Sequence, residues 1–339
     1  MPNDPHPYSR LVPDVVLNAV ESLGLACDGR LLALNSYENR VYQVGIEEAP
    51  PRGRDQIVAK FYRPERWSDA QILEEHAFGA ELAAGEVPVV APLEIAGRTL
   101  HESQGFRFAL FPRRGGRAPE LEDPDTLEWL GRFIGRIHAI GSTRAFTHRP
   151  AIDIASFGDE PRAYLLENDF IPGELREAWT SVADLALEGV RGAFARTAGY
   201  TAIRLHADCH AGNVLWTPSS GNSQGGPHFV DLDDSRMGPA VQDLWMLISG
   251  DRSTMAKQLG HLLAGYEDFR EFDDRELQLL EALRTLRLMH YSAWLARRWD
   301  DPAFPIAFPW FNTVRYWQDR ILELREQVAA MQEPALVPS

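Results

Sequence analysis

The sequence predicts an α+β chain in two lobes, a small antiparallel sheet followed by a larger, mostly helical part. Three observations carry that expectation. Apolar residues fall in short runs of branched and aromatic types up to residue 112, and recur at spacings of three and four beyond residue 124. Between them RRGGRAPELEDP, residues 113–124, has the glycine, proline and charge content of a connector. The length of 339 residues also exceeds the roughly 100 to 200 of a single domain. We therefore expect a first lobe over residues 1–112 and a second over 113–339.

Residues 12–24 predict a helix entered through Pro13, with Val16, Ala19, Val20 and Leu23 on one face and Gly24 as its stop. Five strands follow in RLLALN, RVYQVGI, QIVAKFY, APLEIAGRTLHE and FRFALF, punctuated by turn signals such as APPRGRD and Gly97. One helix interrupts them. SDAQILEEHAFGAELAAG starts at a Ser or Asp cap and ends at Gly85, with Ile72, Glu75, Gly79 and Leu82 on one stripe. A carboxylate thereby shares a buried face.

In the second lobe DTLEWLGRFIGRIHAIG places Leu127, Leu130, Ile134 and Ile137 at helical spacing. Further helices are expected near 174–196, 239–249, 254–268, 274–298 and 311–331. Two short apolar strands, TAIRLH and HFVDL, flank the run HADCHAGN and are separated by the turn-rich TPSSGNSQGGP.

Composition narrows the function. A net charge of -15 and a pI near 5.1 disfavour the basic face that a nucleic acid or an anionic membrane would need, so neither partner is expected. The two cysteines, Cys27 and Cys209, indicate no disulfide framework. MPNDPHPYSRLVPD lacks the pattern of a secretory leader, and no run approaches the ~18 apolar residues of a membrane span, which points to the cytoplasm.

HADCHAGN, residues 206–213, offers two histidines, a cysteine and an aspartate, the ligand vocabulary of a transition metal. A closed zinc site lacks a fourth ligand cluster elsewhere; a three-ligand catalytic zinc remains an alternative. The residues between the obvious ligands suggest different chemistry. Asp208 is followed by Asn213 and, about one hairpin later, by Asp231. A base, an amide oxygen and a carboxylate are the equipment of phosphoryl transfer from Mg-ATP, and the spacing matches a protein kinase catalytic loop. Upstream, IVAKFY sets Lys60 in a strand much as VAIK does, and Glu75 on the next helix is its expected ion-pair partner, with Glu74 in reserve.

HADCHAGN, FVDLDD and GPAVQDLW resemble the kinase-like phosphotransferases that include aminoglycoside phosphotransferases, choline kinases and homoserine kinase of the second type. LNSYENRVYQV, VAKFYRPERW, QILEEHAF, EVPVVAPL and RRWDDPAFP are similar to a family of bacterial stress-response serine/threonine protein kinases, from about residue 10 to the C-terminus. The resemblance implies a bilobed protein kinase-like fold, ATP and Mg2+ as cofactors, and a cytoplasmic monomer that phosphorylates serine or threonine hydroxyls of proteins. It also implies Asp208 as proton acceptor, Asn213 and Asp231 as magnesium ligands, and Ser36 as an ATP contact. Ala207 departs from the glycine common at that position, which matters only if the backbone there has positive φ.

LNSYENRVY contains no glycine where a phosphate loop would have several, so Asn35 and Ser36 are the expected phosphate donors. Backbone groups near Leu110 and Phe111, in the segment expected to link the lobes, are assigned to adenine. Asp233 is a weaker metal candidate, and Asp243 is expected to accept backbone N–H bonds from the catalytic loop. His206 is expected to brace that loop, and the tryptophans near residue 310 to pack. Only DDSRMGPAVQ separates Asp231 from the next helix, too short for an ordinary activation segment. A small-molecule hydroxyl kinase is the alternative activity, and a nucleotide-binding regulator without turnover a third.

Overall fold

Strand alternation decides which residues the first sheet buries. A computed structural model describes residues 6–47, 56–218 and 225–339, so APPRGRD and most of TPSSGNSQGGP lie outside the described residues. Cys27–Ala33 (β1), Arg40–Ile46 (β2), Gln56–Phe61 (β3), His101–Ser103 (β4) and Phe106–Pro112 (β5) form one antiparallel sheet in the order β1-β2-β3-β5-β4. Ile57, Ala59, Phe61, Phe106, Phe108 and Leu110 share one face and are buried against Val16, Ala19 and Val20 of Pro13–Glu21 (α1). Lys60, one residue out of that phase, faces the other way. It pairs in register with Val41 and Ala109.

That second face is covered by Asp69–Ala84 (α2), whose start is set by a reciprocal capping box between Ser68 and Gln71. Ile72 packs with Tyr62, Trp67 and Ala109, and Glu75, Gly79 and Leu82 are buried on the same stripe, as the sequence predicts. The run 91–102 contributes only His101 and Glu102 to a strand. Ala96 and Gly97 both have positive φ, 51° and 76°, and close a tight turn between Ile95 and Arg98 that ends any longer strand.

The motif-bearing strands do not pair with each other. Ile203–Leu205 (β6) pairs with Arg236–Gly238 (β9), and Val214–Thr217 (β7) pairs with Gly226–Phe229 (β8). Each finds a partner of three or four residues, too short to show a period in sequence. Contacts group the chain into two compact units. The first holds residues 1–119, 147–149 and 211–235; the second holds 120–146, 150–210 and 236–339.

Helices dominate the second unit: Pro124–Gly141 (α3), Glu160–Glu167 (α4), Gly173–Arg196 (α5), Val241–Trp245 (α6), Arg252–Tyr266 (α7), Leu280–Arg297 (α8), Ala303–Ala307 (α9) and Val314–Ala330 (α10). The helix expected over 239–249 shortens to the five residues of α6, and that over 274–298 opens with a 3-10 turn at Asp274–Leu279. α4 and α9 were not foreseen. Helices α3 and α7 cross at backbone contact distance, because a Cβ on Gly131 would strike the Leu262 carbonyl and one on Gly265 the Glu128 carbonyl. No helix among the described residues is long and apolar enough to cross a membrane.

The crossing makes a signed prediction. Gly265→Ala should lower the urea midpoint, with overpacking of about 1–3 kcal/mol outweighing the ~1 kcal/mol that alanine gains in helix propensity. Gly192→Ala in α5, where a Cβ would meet only the mobile end of Arg196, should raise it by up to ~1 kcal/mol.

Candidate active site

In the first unit the face of β3 that looks toward α2 carries a buried ammonium. Lys60 Nζ lies 2.9 Å from Asp231 Oδ1 and 3.1 Å from Asp233 Oδ1. Burial alone would lower its pKa, but Asp231, Asp233 and Glu75 together outweigh it, so the group is held well above its ordinary value and stays charged. Asp231 has a left-handed backbone, φ 60°, and a half-exposed carboxylate, whereas Asp233 is buried. Asp233 also receives Arg66, which reaches Asp234 at 2.6 Å. Burial pushes the Asp233 carboxyl up, yet Arg66 and Lys60 pull it down to about 2.

The expected Lys60–Glu75 ion pair does not form among the described residues. Glu75 Oε2 lies 3.6 Å from Arg149 instead, although its charge still acts on Lys60. Burial raises the Glu75 carboxyl to about 7, against the opposing pull of Lys60 and Arg149. Glu74 is committed elsewhere: it accepts the backbone N–H groups of Thr147, His148 and Arg149. Arg149 itself is buried and donates to the carbonyls of Gln71 at 3.0 Å, Ser235 at 2.6 Å and Asp233. Two arginines thus brace the acid cluster where the sequence suggested a glutamate.

The loop between β1 and β2 is tied to the same cluster. Asn39 Oδ1 accepts the Arg63 N–H at 3.0 Å, and Glu38 meets Arg63 at 3.0 Å. Ser36 Oγ donates to the Asn39 carbonyl at 3.2 Å, while Asn35 is exposed. Leu110 turns its side chain into the core beneath α1, and its carbonyl accepts the Leu93 N–H at 2.7 Å. Phe111, on the opposite face, packs beside Tyr62 and Trp67.

Asn213 ends a 3-10 turn, Ala211–Asn213, and its carbonyl accepts the Val230 N–H at 3.0 Å. The β7–β8 hairpin therefore brings Asn213 close to Asp231 in this unit. One amide oxygen and one half-exposed carboxylate suit a hard cation that arrives with phosphate oxygens. Among the described residues no three His, Cys, Asp or Glu side chains converge to hold a metal ion by themselves.

In the second unit a buried carboxylate sets the loop before Asp208. Asp243 accepts the N–H of Ala207 at 2.7 Å and of His206 at 2.9 Å, the role the sequence assigned to it. Its second partner is His138 Nε2 at 3.0 Å, whose Nδ1 meets the Tyr266 hydroxyl at 3.0 Å. Gln242 Nε2 donates to the Ala207 carbonyl at 3.0 Å. Ala207 has φ 69°, so the methyl group sits where glycine is unstrained.

Asp208 Oδ1 accepts from Arg287 Nη1 at 2.7 Å, and His210 Nε2 lies 3.6 Å from Oδ2. Burial disfavours the charge, but His210 and Arg287 more than compensate and hold the carboxyl well below the usual range. Burial keeps the Cys209 thiol protonated, which removes it as a nucleophile. Arg66, Arg149 and Arg287 carried no assigned role in sequence. Only Arg66 had a visible cue, its place in VAKFYRPERW.

A lysine on a sheet strand, an Asp-x4-Asn loop and a following aspartate on one α+β fold define a kinase-like phosphotransferase. Residues 30–280 match the phosphotransferase enzyme family, and the chain belongs to it. It is 45% identical over 336 residues to Stress response kinase A of Escherichia coli (strain K12), covering 99% of this chain and 98% of that one. It is also 45% identical to Serine/threonine protein kinase RdoA of Salmonella typhimurium, covering 97% and 96%. Among solved structures, an amicoumacin kinase with AMP-PNP, Ca2+ and Ami shares the fold at TM-score 0.68 and 18% identity, covering 94% and 93%. A microcompartment-associated aminopropanol kinase does so at TM-score 0.65 and 19% identity, covering 93% and 96%. The protein is a phosphotransferase of kinase-like fold.

Three outcomes follow. Asp243→Ala leaves buried donors unpaired and should cost about 3–5 kcal/mol in denaturant unfolding. Ala207→Gly should stabilise by about 1–2 kcal/mol. For Glu75, the folded pKa near 7 exceeds the unfolded 4.5, so the folded state binds the extra proton between those values. Wild-type stability relative to Glu75→Gln should therefore fall as pH rises from 4.5 to 7. His76, lowered by burial to about 3, slopes the other way and cancels in that difference.

Proposed function

We propose that the protein is an ATP- and magnesium-dependent serine/threonine protein kinase of the bacterial stress response, acting as a cytoplasmic monomer. The observation that carries this reading is the 45% identity, over nearly the full length of both chains, to proteins named Stress response kinase A and Serine/threonine protein kinase RdoA. The residues of the candidate site support it. We take residues 1–112 as a nucleotide-binding lobe and 113–339 as the lobe of the catalytic loop, the metal site and acceptor binding.

Lys60 steadies the α and β phosphates, its charge secured by the acids around it. Glu75, acting through Arg149 as well as on Lys60 directly, keeps that ammonium oriented. Asn35 and Ser36 offer donors to phosphate oxygens, and backbone groups around Leu110 and Phe111 meet adenine. Asn213 and Asp231 would hold magnesium, which when bound neutralises charge developing on the transferred phosphoryl group; Asp233 serves mainly to anchor Lys60 and Arg66. Asp208 orients the acceptor hydroxyl and takes its proton. Asn213 follows Asp208 by five positions, so the chain itself limits them to about 18 Å.

Asp208→Ala should retain ATP affinity and lose turnover by about 10²–10⁴, measured as transfer of labelled γ-phosphate into lysate proteins. Full activity in the variant would overturn the assignment of Asp208. Label entering only metabolites with the wild type would replace the protein substrate by a small hydroxyl compound.

A further inference from the structure

Arg287, in the second unit, meets the candidate base and also lines a cavity. It projects from α8 with its guanidinium half exposed, 2.7 Å from Asp208 Oδ1. The same side chain lines a cavity of about 490 Å³ together with Trp245, Leu288, Tyr291 and Glu323. That cavity is tied to the loop from a second side. Trp245 Nε1 donates to Gln242 Oε1 at 3.1 Å, and Gln242 holds the Ala207 carbonyl, one residue before Asp208. Neighbouring Arg284 is spoken for by Glu281 at 3.0 Å.

We propose that Arg287 is a positioning residue for the acceptor step: it aims the Asp208 carboxylate and walls the cavity through which the acceptor hydroxyl reaches it. This rests on the reading of Asp208 as the acceptor-orienting base. A guanidinium so close makes Asp208 a weaker base, which is a poor arrangement if proton abstraction limits the reaction. It is a good one if orientation does, as in a loose phosphoryl transfer where the hydroxyl loses its proton late. Arg287 fixes Oδ1, and His210 Nε2 stands 3.6 Å from Oδ2, so both oxygens of the carboxylate are held in place. No bond to Arg287 is made or broken.

The test uses the full chain as wild type, Arg287→Ala, Arg287→Lys and Asp208→Ala. The acceptors are a mixed library of serine and threonine peptides and, in parallel, water, followed as ATP hydrolysis. Arg287→Ala should lower kcat by about 10- to 100-fold and raise the peptide KM while leaving the ATP KM within about twofold. Lysine, or added guanidinium at low millimolar concentration, should restore part of the rate. An Arg287→Ala enzyme with unchanged kcat and peptide KM would overturn the proposal, as would a loss that neither lysine nor guanidinium recovers. Activity surviving in Asp208→Ala would instead remove the underlying reading and the proposal with it.

Discussion

Burying an ammonium on a sheet face is the constraint from which the first unit's other charges follow. Lys60 is 6% exposed, and an unpaired charge there would shed its proton rather than remain. Its retention requires Asp231 and Asp233 at ion-pair distance. Two like charges so close repel each other, the more so as Asp233 is buried, and Arg66 and Arg149 answer that need. The cluster closes on α2 through Glu75, and on the loop before β2 through Glu38, which also meets Arg66 at 3.7 Å.

The second unit solves a different problem with the same chemistry. A loop that must present Asp208 has backbone groups at His206 and Ala207 that no strand or helix satisfies, and burial makes each costly. Asp243 takes both N–H groups, and the ladder through His138 to Tyr266 anchors it to α3 and α7. The close crossing of those helices is what brings His138 and Tyr266 together. Glycines at the crossing thus act on the loop at a distance, through packing.

Much of this was legible beforehand. Periodicity placed the sheet, α2 with Glu75 on its buried stripe, and α3, because those segments are long enough to show their period. Asp243 was legible through the spacing of its motif. The partner of Lys60 was not. Glu75 lies on the expected face, but ion pairing depends on ångström distances, and Asp231 and Asp233 arrive closer through a turn with positive φ that no periodicity announces. Of the short strands, β6 and β8 were expected from TAIRLH and HFVDL, while their partners β9 and β7 carried too little pattern to be seen.

The sequence by itself determined the order of chemical parts: a strand lysine, a helix carboxylate, an Asp-x4-Asn loop and a second aspartate, on a sheet followed by helices. Residue type and local period are properties of short segments, so one chain suffices to read them. Only the tertiary structure decided which charges meet. Arg149, 74 residues from Glu75, and Arg287, 79 residues from Asp208, reach their partners through folding alone, since electrostatic pairing depends on distance in space and burial rather than on separation along the chain.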